Sequence, residues 1–229
     1  MKKLLLKISS LFLMMTATAQ SQDWPNFERF RAANEKLGLP TENEKRVVFM
    51  GNSITQGWIE YGNPELFSKN SYVNRGISGQ TTPQMLVRFR VDVIALQPKV
   101  VIILAGINDI AGNTGPSTLE MIQDNLISMV QLAQANNIKV ILSSILPANK
   151  FNWRPEVNPA DKVIEMNVFI KKYAETHNCI YIDYYTPMVD NEKGLKVAYS
   201  EDGVHPNIKG YAVMTPLVQE AIKEALKDH

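Results

Sequence analysis

Five short apolar runs recur along this chain of 229 residues, and longer amphipathic stretches lie between them. The runs are rich in β-branched or aromatic residues and do not alternate strictly, as expected for strands covered on both faces. They occupy residues 46–51, 72–77, 99–106, 138–145 and 179–185. Between and after them, apolar residues recur three and four positions apart, as in helices buried on one face, over residues 82–97, 117–137, 159–177 and 207–227. The alternation predicts an α/β fold, a parallel sheet with helices on both sides.

Three further features refine this prediction. Ser117 with Glu120 has the spacing of a capping box at the start of the second long helix. A further helix is expected at about residues 27–37, on the outside of the sheet. The segment 147–160 has no periodicity and contains three prolines and Trp153, which predicts a loop that can wall a pocket.

Polar clusters follow the predicted strands, where ligands bind in open α/β sheets. They are Gly51-Asn52-Ser53, the segment Asn74–Gly79, the run Gly106 to Asp109, and the pair Asp202 and His205 before the last helix. Each cluster alone is also an ordinary turn, since Gly, Asn and Asp are common turn residues. Together, we expect them to converge at one edge of the sheet.

The residue types in these clusters suit acyl transfer, which needs a nucleophile, a base, a group that orients the base, and oxyanion donors. Of the three histidines, His229 is terminal and His177 stands at a helix end, where a cation favours the helix dipole. His205 follows Asp202 by three residues, so the carboxylate can reach one ring nitrogen while the other faces Ser53.

Two further residues are candidate oxyanion donors. Gly79 lets a backbone N–H approach an oxyanion without an intervening side chain, and the amide of Asn108 is a neutral donor. The alternative interpretations are a helix-start glycine for Gly79 and a turn residue for Asn108.

The four clusters resemble the sequence blocks of the SGNH hydrolases, the GDSL-type esterase, lipase and acylhydrolase family, over about residues 46–215. The resemblance implies Ser53 as nucleophile, His205 as base and then acid, and Asp202 as the group that orients it. It also implies an oxyanion hole of the N–H groups of Ser53 and Gly79 and the side chain of Asn108. The implied fold is a three-layer α/β/α sandwich around a flavodoxin-like sheet of about five strands. No metal and no organic cofactor is implied, and Asn52 replaces the aspartate of the family name.

The first 20 residues predict a signal peptide: Lys2, Lys3 and Lys7 precede an apolar run too short for a bilayer, then a small-residue pattern. Residues 21–229 are then expected to form a single hydrolase domain. Cleavage leaves 21 basic and 23 acidic residues, so nucleic acid is not expected as a partner. The only cysteine, Cys179, is far from the cleavage region and is expected to be a buried thiol. We therefore predict a soluble exported protein, periplasmic or extracellular, without a stable membrane anchor.

The expected substrate is a small-molecule or glycan ester. A carbohydrate that carries O-acetyl groups is favoured, with Asn52 and Trp153 lining the pocket. Trp24, Trp58 and Trp153 are equally well explained as core or loop anchors. Other interpretations are an acylhydrolase of the lysophospholipase or thioesterase kind and a glycan-binding module without catalysis. A metal-dependent phosphoesterase that uses Asp109, Asp202 and His205 is a further alternative. The Gly-x-Ser-x-Gly motif of the α/β-hydrolase class is absent around Ser53.

Overall fold

The structure is a computed structural model that describes residues 23–227. The predicted signal peptide and His229 lie outside the described residues. Within residues 23–227, no helix is both long enough and apolar enough to cross a membrane.

A sheet of five parallel strands forms the centre of the fold, as the sequence predicts. The strands are β1 (Val47–Gly51), β2 (Tyr72–Gly76), β3 (Val100–Leu104), β4 (Lys139–Ser143) and β5 (Ile180–Ile182). Their order across the sheet is β2-β1-β3-β4-β5, and β1 pairs with β2 and β3 in parallel register. Every residue of β1 and β3 is buried, which explains why these runs are apolar throughout rather than alternating.

Helices cover both faces of the sheet and complete a three-layer α/β/α sandwich, which confirms the predicted fold class. In chain order they are α1 (Arg31–Leu37), α2 (Ser53–Gly57), α3 (Glu65–Ser68), α4 (Thr82–Asp92), α5 (Ile107–Ile110), α6 (Leu119–Ala135), α7 (Ala160–Thr176), α8 (Tyr185–Met188) and α9 (Ile208–Ala225). Short 3₁₀ turns occupy Phe27–Arg29, Ile94–Leu96 and Val197–Tyr199, and a π-helical turn occupies Trp58–Gly62.

Two helix starts differ from the sequence prediction. The helix expected over residues 27–37 is divided at Phe30 into a 3₁₀ turn and α1. The N-cap of α6 is Thr118 rather than Ser117, since the Thr118 hydroxyl accepts a hydrogen bond from the N–H of Met121 at 3.3 Å. The neighbouring hydroxyl residues compete for the cap, and spacing alone does not separate them.

The three tryptophans, alike in the sequence, occupy different environments. Trp58 is buried in the core and packs edge-on against Phe49 of β1, with ring centroids 5.6 Å apart. Trp24 and Trp153 are both largely exposed. Trp58 is therefore a core anchor, whereas the other two indoles face solvent.

Candidate active site

The strand-to-helix corner after β1 fixes the position of Ser53. A Cβ atom on Gly51 would collide with the hydroxyl of Thr55 and the carbonyl of Leu104, so only glycine fits at this corner. The chain then enters α2 at once, and Ser53 is its first residue. The serine is therefore held by a buried strand and a helix, not by a loop.

Asn52 is the N-cap of α2 and lies beneath the serine. Its side-chain oxygen accepts a hydrogen bond from the N–H of Ile54 at 3.0 Å, and the residue is only 1% exposed. The prediction that Asn52 lines the substrate pocket is wrong, because a helix cap at this corner turns the side chain inward. Its Nδ2 group is buried without a hydrogen-bond partner among residues 23–227.

Ser53, His205 and Asp202 form a continuous hydrogen-bonded chain. The hydroxyl of Ser53 lies 2.9 Å from Nε2 of His205, although the two residues are 152 positions apart. On the other side of the ring, Nδ1 of His205 lies 2.6 Å from Oδ2 of Asp202. These distances allow His205 to take the serine proton while Asp202 orients the ring. The three side chains that the sequence singled out are therefore brought together.

The carboxylate of Asp202 is held by its own loop. Its Oδ1 atom accepts hydrogen bonds from the N–H groups of His205 and Val204 at 2.8 and 2.9 Å and from the hydroxyl of Ser200 at 3.1 Å. Burial raises the pKa of Asp202, but the hydrogen bonds from the His205 ring and the two N–H groups outweigh it, and the net shift is downward. Asp202 is thus kept ionised and can stabilise a charged imidazole.

The predicted oxyanion donors are the N–H groups of Ser53 and Gly79 and the side chain of Asn108. Gly79 has a φ of +77°, a left-handed conformation that favours glycine. Within residues 23–227, the backbone N–H groups of Ser53 and Gly79 make no hydrogen bond. Asn108, in α5, is buried and donates one Nδ2 hydrogen to the carbonyl of Gln80 at 2.9 Å. Its second Nδ2 hydrogen can serve an incoming oxyanion.

The Asp109 side chain joins α5 to the start of α4. Its carboxylate accepts hydrogen bonds from the N–H of Thr82 at 3.0 Å and from the Thr82 hydroxyl at 2.5 Å. Burial raises the pKa of Asp109 to about 6, against the lowering effect of these hydrogen bonds. In residues 23–227, no three His, Cys, Asp or Glu side chains form a group that could hold a metal ion. Asp109, Asp202 and His205 do not form such a group. The sequence did not predict this linking role, because no local pattern connects Asp109 with Thr82.

One depression borders the triad, and a second borders the predicted oxyanion donor Gly79. The larger, of about 980 Å³, is bounded by His205 and Asp202. The smaller, of about 250 Å³, is bounded by Gly79 and Gln80. The predicted wall residue Trp153 lies beside His205, with ring centroids 6.3 Å apart, and lines neither of these two depressions.

Two residues set aside in the sequence have structural roles. His177 stacks on Tyr173 at the end of α7, with ring centroids 3.9 Å apart. Cys179 is half-buried rather than fully buried, and burial raises the pKa of its thiol to about 11. A thiol with a raised pKa is a poor nucleophile at neutral pH.

Known proteins with this architecture include two Bacteroides structures. A GDSL-like lipase of Bacteroides thetaiotaomicron is 47% identical, with a TM-score of 0.87, over 89% of this chain and all of that one. An acylhydrolase candidate of Bacteroides fragilis is 49% identical, with a TM-score of 0.88, over 90% of this chain and all of that one. An acetylxylan esterase of Xylanibacter ruminicola is 30% identical over 82% of this chain, which spans only 45% of that relative's length.

The family model of the GDSL-like lipases and acylhydrolases matches residues 49–213, most of the chain. That range includes Ser53, Gly79, Asn108, Asp202 and His205. The chain therefore belongs to the GDSL-like lipase/acylhydrolase family.

Proposed function

We propose that this protein is a serine esterase that removes short acyl groups, acetyl foremost, from carbohydrate esters. The observation that carries the proposal is the hydrogen-bonded chain from Ser53 through His205 to Asp202, with contacts of 2.9 and 2.6 Å. A serine hydroxyl reacts with an ester at neutral pH only when a base takes its proton, and this arrangement supplies one.

In the first half of the reaction, the Oγ atom of Ser53 attacks the ester carbon while Nε2 of His205 accepts the hydroxyl proton. The carbonyl oxygen becomes an oxyanion in the tetrahedral intermediate. It accepts hydrogen bonds from the N–H groups of Ser53 and Gly79 and from the side chain of Asn108. Asp202 stabilises the imidazolium that forms beside it.

In the second half, the intermediate collapses and the bond to the alcohol oxygen breaks. His205 donates its proton to that oxygen, so the alcohol leaves neutral and the acyl group stays on Ser53. Water then enters, gives a proton to His205 and attacks the acyl carbon, and the acid is released as Ser53 regains its proton. No metal or organic cofactor takes part in the proposed steps.

The smaller depression supports a short acyl group. The alcohol must lie beside His205, because His205 protonates it. The acyl group then lies on the Gly79 side of the scissile bond. The depression there measures about 250 Å³ and is lined mainly by polar side chains, among them Asn26, Gln84 and Asn113. A long acyl chain would bury methylene groups against polar atoms there and gain little of the usual stabilisation of about 0.8 kcal/mol per CH₂.

A carbohydrate alcohol is supported by the acetylxylan esterase relative and by the exposed indole of Trp153, which is 44% exposed beside His205. Aromatic rings with one face open to solvent can stack on sugar rings. Export, predicted from residues 1–20, agrees with a polysaccharide substrate, which lies outside the cell.

The direct test is hydrolysis of p-nitrophenyl acetate by the protein without residues 1–20. We expect Ser53→Ala and His205→Ala to lower kcat by at least about 10³-fold. Ser68→Ala, at an exposed serine in α3, and His177→Ala, at the C-cap of α7, are matched controls that should keep the wild-type rate. Full activity in either triad variant would overturn the mechanism.

Two further measurements separate the alternatives. A fluorophosphonate should label the wild type on the peptide that contains Ser53, and the label should be lost in Ser53→Ala. A wild type that is neither labelled nor active on any acetate ester would favour a glycan-binding module. Activity that disappears after treatment with EDTA and returns with a divalent cation would contradict the metal-independent mechanism.

A further inference from the structure

We infer that the cleft beside His205 is the subsite for the alcohol part of the ester, and that it binds an oligosaccharide with Tyr61 as the stacking platform. The cleft lies between residues 59–64 and residues 197–209 and measures about 980 Å³. The inference rests on the proposed esterase function and specifies where its carbohydrate binds. We refer to this depression as the alcohol cleft.

The position of the alcohol cleft follows from proton transfer. His205 must be within hydrogen-bond reach of the leaving oxygen in order to protonate it, so the alcohol lies on the His205 side of the scissile bond. The alcohol cleft is bounded by His205 and Asp202 themselves. Its volume is at the upper end of the range for small-molecule sites, about 300–1,000 Å³, and thus exceeds what a single small alcohol needs.

Four exposed apolar or aromatic side chains line the alcohol cleft. Tyr61, Val197 and Ile208 are 64%, 88% and 71% exposed, and Ile59 lies next to them. Exposed apolar residues that cluster in one concave surface mark binding sites. A pyranose ring offers two faces of C–H groups and an equator of hydroxyl groups, which matches an aromatic platform surrounded by polar atoms.

The charges at the alcohol cleft argue against a phosphate-bearing alcohol such as a lysophospholipid. Glu60, Glu201 and Asp202 contribute three carboxylates, and Lys209 is the one cation among the cleft residues that the structure describes. Asp202 is paired with His205, and Glu60 accepts a hydrogen bond from Gln56 at 2.7 Å. The remaining charges of the cleft do not favour the binding of an anion. Carboxylates readily accept hydrogen bonds from sugar hydroxyl groups.

The wall that carries Tyr61 is fixed before any ligand arrives. Ile59 and Tyr61 project from the π-helical turn Trp58–Gly62, whose first residue is buried in the core. At the other end, Gly62 lies flat against the Tyr211 ring, and an added Cβ would come within 2.7 Å of that ring. Tyr211 itself donates a hydrogen bond to the carbonyl of Ile54 at 2.8 Å. The backbone of this turn is therefore already ordered, and only the Tyr61 side chain has to lose conformational freedom when a ligand binds.

The test compares two acetate esters that differ only in the alcohol, acetylated xylotetraose and ethyl acetate. Ethyl acetate has the same acyl group, but its alcohol is too small to span the cleft to Tyr61. We expect Tyr61→Ala to raise the KM for acetylated xylotetraose about 3- to 10-fold, as for the loss of one aromatic contact, and to leave ethyl acetate hydrolysis unchanged. Tyr61→Phe should retain the wild-type KM because the ring remains.

A matched pair of valines controls for general effects of exposed apolar residues. Val197→Ser, inside the cleft, should raise the KM for acetylated xylotetraose, whereas Val87→Ser, on the exposed surface of α4, should not. Equal effects of the two substitutions would contradict the inference. So would a Tyr61→Ala variant that keeps the wild-type KM for acetylated xylotetraose, or one that loses activity on both esters equally.

Two measurements distinguish failure of this inference from failure of the proposed function. Calorimetric titration with unacetylated xylotetraose should show binding that Tyr61→Ala weakens, whether or not any ester is cleaved; no binding to the wild type would overturn the inference. Octyl acetate provides the competing case. If Tyr61→Ala impairs hydrolysis of octyl acetate but not of acetylated xylotetraose, the cleft binds a hydrocarbon alcohol and the inference is wrong.

Discussion

Replacing Asp109 with asparagine should change how the stability of the protein depends on pH. The Asp109 carboxyl is buried, and its pKa rises from 3.8 to about 6 in the folded chain. Between these two values the folded chain holds a proton that the unfolded chain has released, so the free energy of unfolding falls as pH rises. One pKa unit corresponds to about 1.4 kcal/mol, so the free energy of unfolding should fall by about 3 kcal/mol across the whole window.

Asparagine stays neutral at every pH in this window, so the Asp109→Asn variant should lack this loss. It should also retain one oxygen to accept the hydrogen bonds from Thr82. Its absolute stability can differ from wild type, because the new NH₂ group meets the N–H of Thr82. The prediction therefore concerns the difference in the free energy of unfolding between the two proteins. Between about pH 4 and about pH 7.5, this difference should change by about 2–3 kcal/mol in favour of the variant.

Urea unfolding followed by far-ultraviolet circular dichroism measures this difference at each pH. All other titrating groups are common to both proteins and cancel in the comparison, provided that they do not interact with residue 109. Asp124→Asn, which alters an exposed carboxyl of α6, is the matched control and should show no comparable trend. A difference between wild type and Asp109→Asn that stays constant over the whole pH range would refute the burial argument.

Four other outcomes are expected. Asp202→Asn should lower kcat by about 10³- to 10⁴-fold, since the amide cannot stabilise the imidazolium; wild-type kcat in this variant would contradict the role of Asp202. Asn108→Ala should lower kcat by about 10²- to 10³-fold with a smaller effect on KM, as for loss of one oxyanion donor. Gly62→Ala should lower the free energy of unfolding by about 1–3 kcal/mol, because the added methyl meets the Tyr211 ring. Finally, kcat/KM should decrease from p-nitrophenyl acetate to the hexanoate, and a preference for the hexanoate would contradict a short acyl site.

Much of the fold could be predicted because its signals are local and repeated. The strands of a parallel sheet are apolar along their whole length, so β1 and β3 stand out from their surroundings without any knowledge of the partner strands. The strand order of the sheet also fixes which polar segments share an edge. Ser53, Asp202 and His205 could therefore be selected together, although the chain separates Ser53 from the other two by about 150 residues.

Other features could not be predicted because they depend on contacts from distant parts of the chain. Asn52 is polar and adjacent to Ser53, as a pocket residue would be. The tight turn from β1 into α2 at Gly51 instead makes its side chain the helix cap. Trp58 and Trp153 carry the same ring, and packing against Phe49, Tyr184 and Tyr211 places Trp58 in the core. The partner of Asp109, Thr82, is 27 positions away, and no local pattern connects the two.

The contact between Ser53 and His205 joins the first strand of the sheet to the loop before the last helix, 152 positions along the chain. Contacts of such long range form late in folding, since the entropy of closing the intervening chain must be overcome first. Helices and the central strands can form while the nucleophile still lacks its base. In a refolding experiment, regained esterase activity would then follow the return of helical circular dichroism, and activity would report the completion of folding rather than its onset.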